Sequence, residues 1–394
     1  MSPKAAGFPS YKLRDVKREG EQNLFTVIST FAGGGGSSLG YRLAGGHVLA
    51  INEFQEQATK TYQANVLFGQ LSSTKILERD IRFIDGRDLL KMTNLRVGEL
   101  DVLDGSPPCS SFSLAGSRAK GWSKTKAYSR TKKITNIEDL FFEFIRLVRD
   151  VRPKLIIGEN VKGLTQGSAR HKMLMIENAF EHQGYEVATI VLNSARYGVA
   201  QSRERVFFIC VRNDVCQALG LDFLNLPETV TPEPTQKKPL TIRMAILNSF
   251  VRNRSPKQTE MLREHLRRSS LNRVVAMLPK DPARHTKPSD KEFRDRNPKK
   301  SYFNLIRPCP DLPSPTLTQL GQQRGRSGVL HPSEDRKLTI IELKRLMGLP
   351  DDFKVTGSYD EKAERLCRMV PPPLMAALAR HLYEVILRPF NAKD

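Results

Sequence analysis

Short apolar runs alternate with amphipathic segments over the first half of the chain. The runs that are typical of buried strands are 25–30, 48–51, 100–103, 155–157, 186–192 and 206–211. Apolar residues at helical spacing lie between them, most clearly at 55–66, 139–151 and 170–182. Strands that alternate with helices predict an α/β fold with a parallel, doubly wound sheet.

The alternation stops near residue 222. The segment 223–240 is rich in Pro, Thr and Glu, and 251–303 is mostly charged with weak periodicity. Helical spacing returns at 339–348 and 374–387. We therefore predict a basic lead-in, an α/β domain in two segments and a smaller, irregular domain. Their predicted bounds are, in that order, 1–24, 25–247 with 366–394, and 248–365.

The composition favours a basic protein with a polyanionic partner. Lys and Arg number 63 against 42 Asp and Glu, which gives a formal net charge of +21. Nucleic acid is the commonest partner of so basic a chain. The sequence shows no apolar run of membrane-spanning length, no apolar leader, and neither disulfide-like cysteine spacing nor zinc-like histidine spacing. We expect an intracellular, cytoplasmic protein without a metal.

A glycine-rich segment, Phe31-Ala-Gly-Gly-Gly-Gly-Ser-Ser-Leu-Gly40, follows the first strand and opens a helix. Its glycines allow a tight turn and a close approach to a ligand. Glu53 ends the next strand, where an acidic side chain suits a ribose diol. Asp80-Ile81 lies where a further acidic residue can reach an adenine amino group. Together they predict a nucleoside-type cofactor, although glycine-rich turns also serve packing alone and Asp is common in loops.

Cys109 lies in Asp104-Gly-Ser-Pro-Pro-Cys-Ser-Ser-Phe-Ser113, directly after a predicted strand. Two prolines hold this backbone rigid, which suits a nucleophile, and nearby cations lower a thiol pKa. The next stretch is basic and carries the single Trp122; its cations are Arg118, Lys120, Lys124, Lys126, Arg130, Lys132 and Lys133. The alternatives are a buried, inert cysteine and a solvated loop.

Two further polar groups flank predicted strands. Glu159 follows the strand 155–157 and is a candidate acid at the same sheet edge as Cys109. In Gln201-Ser-Arg-Glu-Arg205, spacing i, i+2 on a strand predicts that Arg203 and Arg205 form a forked cationic pair, suited to phosphate or a base carbonyl. The alternative is an ordinary surface ion-pair set that includes Glu204.

The order of these motifs resembles the cytosine-C5 DNA methyltransferase family. The resemblance continues through Arg336-Lys-Leu-Thr339, Arg345-Leu-Met-Gly-Leu-Pro-Asp-Asp-Phe353 and Val370-Pro-Pro-Pro-Leu-Met-Ala, and covers about 25–390. It implies a Rossmann-like methyltransferase domain and a smaller target-recognition domain. The basic span 251–303 is then expected to bind DNA, mainly through phosphate contacts.

The resemblance also implies a role for each matching residue. S-adenosylmethionine would be bound by residues of the glycine-rich turn and later loops: Phe31, Ala32, Gly33, Gly35, Glu53, Phe54, Asp80, Ile81 and Pro108. Catalysis on a flipped-out cytosine would use a nucleophile, an acid and cations: Cys109, Glu159, Arg203 and Arg205. DNA would be contacted by Gln201, Arg203, Ser113, Arg118, Lys120 and Trp122. The family layout implies a monomeric bacterial modification enzyme at the nucleoid, in restriction-modification or epigenetic marking, with a possible cognate endonuclease.

The chain departs from the family pattern at several positions. Ser29 stands where the family usually has Asp, Ser110 where it has Gln, and Cys367-Arg368 where it has Gly-Asn. The loop after Cys109 is also extended. Two alternatives stay open: a tRNA cytosine-C5 methyltransferase, disfavoured by Ser110 and by the lack of a Cys-Phe-Thr element, and a catalytically impaired DNA-binding relative.

Overall fold

A computed structural model describes most of the chain. The described residues are 8–66, 74–108, 126–127, 133–134, 140–167, 169–248, 251, 255–288, 304–324 and 326–393. They form two compact units. The sheet unit comprises Val16–Leu192, Glu204–Glu233 and Met375–Asp394, and the second unit comprises Met1–Asp15, Asn193–Arg203 and Pro234–Leu374. The domain bounds drawn from the sequence stay a prediction.

The sheet unit is built on a sheet of seven strands among the described residues. The strands are β1 Phe25–Thr30, β2 Gly46–Asn52, β3 Lys75–Leu77, β4 Val102–Gly105, β7 Leu155–Val161, β8 Tyr185–Asn193 and β9 Glu204–Arg212. Their order in the sheet is β3-β2-β1-β4-β7-β9-β8. A separate antiparallel pair consists of β5 Lys126–Ala127 and β6 Lys133–Ile134.

The expectation of a wholly parallel sheet is wrong at β9. Strand β1 runs parallel to β2 and β4, and β4 runs parallel to β7. Strand β9 runs antiparallel to β7. The segment between β8 and β9 contains only a 3-10 turn at Ser194–Arg196, whereas a parallel crossover needs a dozen or more residues. The start of β9 therefore lies at the sheet edge where β1, β4 and β7 end.

Helices alternate with these strands along the chain. Those before β9 are α1 Leu13–Gly20, α2 Gly36–Leu43, α3 Glu56–Val66, α4 Gly86–Thr93, α5 Leu140–Val151 and α6 Ala169–Glu181. Those after β9 are α7 Asn213–Leu219, α8 Leu226–Thr229, and, near the C-terminus, Pro372–Leu382, a π-helical turn Tyr383–Leu387 and Arg388–Asn391. The helix predicted over 139–151 is confirmed as α5. Its apolar residues recur at helical spacing and bury one face of the helix in the core. There Phe141 and Phe144 pack edge-to-face with Phe180.

The described part of the second unit contains helices and a small apolar cluster. Its helices are Ile242–Ile246, Pro256–Arg267, Asn272–Val275, Ile340–Leu346 and Tyr359–Arg368. The helix Pro256–Arg267 lies in a span for which the sequence predicted an irregular structure. Its buried residues, Leu262 and Leu266, are outnumbered by charged residues, and this makes the helical period weak in the sequence. Buried Arg336 pairs in a bidentate way with Glu342, whose carboxylate also closes a capping box.

Residues 11–13 form specific hydrogen bonds, although the sequence indicated only a polar lead-in. The hydroxyl of Tyr11 donates to Gly348 O at 2.6 Å. The backbone N–H of Asp351 donates to Tyr11 O at 3.0 Å, and Leu13 N donates to Asp352 Oδ1 at 2.9 Å. These bonds fix residues 11–13 on the loop 348–352.

Candidate active site

The glycine-rich turn joins β1 to α2 and carries the predicted nucleoside-binding residues. Phe31, Gly33 and Gly35 all have positive φ, at 53°, 55° and 98°. This conformation favours glycine, so Phe31 is held there by its surroundings. A Cβ at Gly35 would lie 2.9 Å from a ring carbon of Tyr62. Only glycine fits at this position without a shift of the ring.

Glu53 is fixed against this turn from the end of β2. Its Oε2 accepts the N–H of Gly33 at 2.8 Å, and its Oε1 accepts the N–H of Gln55 at 2.7 Å. The residue is only 9% exposed. Each carboxylate oxygen has more than one lone pair, so a single hydrogen bond does not exhaust its capacity as an acceptor.

The groups around the turn suit a nucleoside. Among the described residues, no atom beyond the neighbours in the chain would lie within 4 Å of a Cβ built at Gly33. Phe31 and Phe54 are partly buried and pack against the core. In the sequence, Phe31 precedes Ala32 and Phe54 follows Glu53. The carboxylate of Glu53 suits ribose hydroxyls, and aromatic side chains suit a base.

Asp80 and Ile81 begin the 3-10 turn Ile81–Phe83. The carboxylate of Asp80 accepts the N–H of Arg82 at 3.1 Å and also binds the Arg82 guanidinium in a bidentate way. Ile81 is buried, and its carbonyl accepts from Arg146. Asn52, which the sequence did not single out, donates to Arg79 O at 2.6 Å and so ties the end of β2 to the segment before Asp80.

Glu159 and Arg205 form a nearly buried ion pair at the edge where β7 ends and β9 begins. Arg205 Nε lies 2.9 Å from Glu159 Oε1, and the side chains are 12% and 11% exposed. Burial lowers the pKa of Arg205, and the Glu159 carboxylate opposes that shift. The pair therefore fixes a carboxylate and a guanidinium side by side. The sequence did not predict this ion pair, and the roles of Glu159 as an acid and of Arg205 as a base-carbonyl contact stay predictions.

Asn160 connects this edge to the proline segment after β4. Its Nδ2 donates to Pro107 O at 3.3 Å, and its Oδ1 accepts from Val161 N at 2.8 Å. Pro108 is partly buried. No role for Asn160 was predicted, although this residue directly follows Glu159 in the sequence.

Arg203 and Gln201 have different surroundings from Arg205. Strand β9 begins at Glu204, so the i, i+2 argument for a forked pair does not apply to Arg203. Arg203 is 3% exposed and donates to Leu317 O at 3.3 Å. The amide of Gln201 is fully buried and accepts from Leu317 N at 3.0 Å. The DNA contact by Gln201 stays a prediction from the sequence.

Several predicted site residues lie outside the described part of the chain. They are the nucleophile candidate and the predicted DNA contacts of the following loop: Cys109, Ser113, Arg118, Lys120 and Trp122. Their roles stay predictions from the sequence.

Comparison with known proteins decides the family. The family model described as C-5 cytosine-specific DNA methylase matches residues 25–384. The chain belongs to this family. The predicted family and the predicted Rossmann-like α/β fold are thus confirmed. The family methylates carbon 5 of cytosine in DNA with S-adenosylmethionine as methyl donor, and the function predicted from the sequence is confirmed at this level.

Individual relatives agree with this assignment. The chain is 27% identical over 372 residues to the Type II methyltransferase M.Eco47II of Escherichia coli, covering 92% of this chain and 80% of that protein. It is 30% identical over 365 residues to the Type II methyltransferase M1.HphI of Haemophilus parahaemolyticus, covering 90% and 85%. The solved structure of the S. pombe Dnmt2 methyltransferase has the same fold, with a TM-score of 0.57 at 15% identity over 93% and 99% of the chains. No helix among the described residues is long and apolar enough to cross a membrane.

Proposed function

We propose that the chain methylates carbon 5 of a flipped-out cytosine in a specific duplex DNA sequence through a covalent Cys109 adduct. The observation that carries this proposal is the Glu159–Arg205 pair, fixed at the end of β7. Asn160 bonds the same strand end to Pro107, two residues before Cys109. An acid, a guanidinium and a cysteine-bearing loop are the groups that this chemistry needs.

Carbon 5 of cytosine is a weak nucleophile, and the proposed roles address that difficulty. The Cys109 thiolate adds to carbon 6, and the electrons of the C5–C6 double bond move toward carbon 5. A proton or hydrogen bond from Glu159 at N3 makes this addition easier. Arg205 holds Glu159 in place and faces the cytosine carbonyl. Carbon 5 would then take the methyl group, with S-adenosylhomocysteine as the leaving group. Loss of the carbon-5 proton to solvent and elimination of the Cys109 thiolate would restore the aromatic ring.

The turn after β1 supplies the proposed cofactor site. Bound S-adenosylmethionine supplies an electrophilic methyl group. Glu53 would bind the ribose hydroxyls, Phe54 would pack on adenine, and Asp80 with Ile81 would meet the adenine edge. The fixed carboxylate of Glu53 supports this assignment. The Asp80 carboxylate accepts from the Arg82 guanidinium. When adenine binds, the carboxylate must either bind both groups or release Arg82.

The decisive test is transfer of tritiated methyl groups to duplex DNA and, in parallel, to total tRNA. We expect 5-methylcytosine in DNA alone, whereas label in tRNA alone would favour the alternative substrate. DNA that contains 5-fluorocytosine should trap a denaturation-resistant complex, because fluorine cannot leave as a proton does. Cys109→Ser should abolish trapping. Glu159→Gln should lower kcat by about 100-fold or more, whereas Glu204→Gln, a neighbouring exposed carboxylate, serves as the matched control.

We further propose that the second unit carries the target-recognition residues and that the protein acts as a monomer in a restriction-modification system. The Type II names of the relatives support that setting. The net charge of +21 supports binding dominated by phosphate contacts. DNA affinity should then fall steeply with rising salt. A flat salt response would contradict this assignment, and digestion of modified DNA with endonucleases would identify the sequence and a cognate partner.

A further inference from the structure

A fully buried polar cluster lies beneath the glycine-rich turn, centred on Asp104 at the end of β4. Ser29 Oγ donates to Asp104 Oδ2 at 2.6 Å, and Tyr41 OH donates to Asp104 Oδ1 at 3.0 Å. Thr30 Oγ1 donates to the backbone carbonyl of Asp104 at 3.0 Å. Asp104 is 1% exposed, and Ser29 and Tyr41 are 0% exposed. In the sequence, Ser29 is only a departure from the family pattern, and no motif points to a role for Asp104.

The three donors flank the turn on both sides. Ser29 and Thr30 are the last residues of β1, directly before Phe31. Tyr41 lies on α2, which begins at Gly36 directly after the turn. One carboxyl group therefore binds the strand that enters the turn and the helix that leaves it. Because Ser29 and Asp104 are paired in register on adjacent parallel strands, the link is short and rigid.

We propose that Asp104 is a positioning residue for cofactor binding: its carboxyl group fixes the turn between β1 and α2, and so holds Gly33 against Glu53. This inference rests on the proposed cofactor site. A buried carboxyl group is costly to keep in a fold. The two oxygens of Asp104 accept from side chains that precede and follow the turn, so the carboxyl group acts on the turn through them. The resulting geometry is the 2.8 Å bond from Gly33 N to Glu53 Oε2.

The protonation state of Asp104 gives the proposal a specific signature. Burial raises the pKa of Asp104 to about 7, with the hydrogen bonds from Ser29 and Tyr41 opposing the shift and the charge of Glu159 adding to it. The ionised carboxyl accepts from both hydroxyls, whereas the protonated carboxyl must itself donate one bond. The pKa of Tyr41 is raised well above its ordinary value, so Tyr41 stays protonated in this range. Cofactor binding should therefore weaken as the pH falls from 8 to 6.

Binding of S-adenosylhomocysteine, measured by calorimetry on the full chain, tests the proposal without turnover. Asp104→Ala should raise Kd about tenfold or more, because two buried hydroxyls lose a charged partner. Asp104→Asn should raise it less and should remove its pH dependence between pH 6 and 8. Without cofactor, hydrogen exchange of the amides over 31–41 should be faster in Asp104→Ala than in the wild type.

Asp101 provides the matched control. It also accepts bonds from a β1 residue, Thr26, from N at 2.8 Å and from Oγ1 at 2.9 Å, but near the start of β1. Asp101→Asn should lower the melting temperature and leave Kd unchanged. The double variant Ser29→Asp with Asp104→Ser returns a carboxyl to the same link from the other strand. It should recover part of the affinity that Asp104→Ser alone loses.

The outcomes separate this inference from the proposed function. If the wild type does not bind S-adenosylhomocysteine, the proposed cofactor site is wrong. If the wild type binds it and the Asp104 variants bind equally well at every pH, the cofactor site stands and the positioning role is refuted. Variants that lower only the melting temperature, as Asp101→Asn should, would also overturn the proposal.

Discussion

Replacing Arg205 with Met will leave the Glu159 carboxylate nearly buried without its counter-ion. The two side chains are 12% and 11% exposed, and their charged atoms are 2.9 Å apart. Loss of one partner of such a pair costs ~3 kcal/mol or more, because the remaining charge keeps its desolvation penalty. For a folded unit of this size, each kcal/mol lowers Tm by ~2–4 °C. We therefore expect Tm to fall by ~6–12 °C.

The double variant tests the physical reason. In Arg205→Met with Glu159→Gln, both charges are gone, and the loss should be well below the sum of the two single losses. Thermal melts followed by far-UV circular dichroism give all four values of the cycle. The control is Lys162→Met, which removes a pair with Glu204 between side chains that are 39% and 45% exposed. An exposed pair contributes at most ~1 kcal/mol.

Additive losses would refute this reasoning. If the double variant loses as much as the two single variants together, then Glu159 and Arg205 are not coupled, and the pair cannot be what fixes the acid. A small loss in Arg205→Met alone would show that water reaches the site and screens the charges.

Three further predictions follow from buried or strained positions. Gly35→Ala will lower Tm and weaken cofactor binding, because its φ is 98° and its Cβ would lie 2.9 Å from the Tyr62 ring; melts and calorimetry measure both effects. Because Asp104 has a folded pKa of about 7 against an ordinary 3.8, the folded state binds its proton more tightly than the unfolded state does. The contribution of Asp104 to stability is therefore present at low pH and is lost as the pH rises to about 7. The free energy of unfolding should fall by at most ~4 kcal/mol over this range. Urea unfolding between pH 4.5 and 8 measures the free energy of unfolding of the wild type and of Asp104→Asn. The difference between the two free energies should grow with pH, and a constant difference would contradict the raised pKa of Asp104. Tyr11→Phe will cost ~1 kcal/mol, since it removes the bond to the Gly348 carbonyl, and a matching fall in Tm should accompany it.

Local patterns predicted the parts of the fold that depend on local physics. The apolar face of 139–151 predicted α5, and the apolar runs predicted β1, β7 and β9 to within a few residues. Glycines after a strand predicted a tight turn, and the structure shows a turn with positive φ there. Periodicity and glycine both act through neighbouring residues, so they can be read from the sequence. The order of the motifs was sufficient to identify the family before any contact was known.

Tertiary structure decided which distant groups meet. Arg205 stands at the start of a strand, and it reaches Glu159 at the end of β7 only because β9 runs antiparallel. In the wholly parallel sheet that the sequence indicated, it would lie at the opposite edge. The cluster of Ser29, Tyr41 and Asp104 likewise depends on β1 pairing with β4 across about 75 residues of chain. Strand order and direction set such contacts, and no local pattern encodes them.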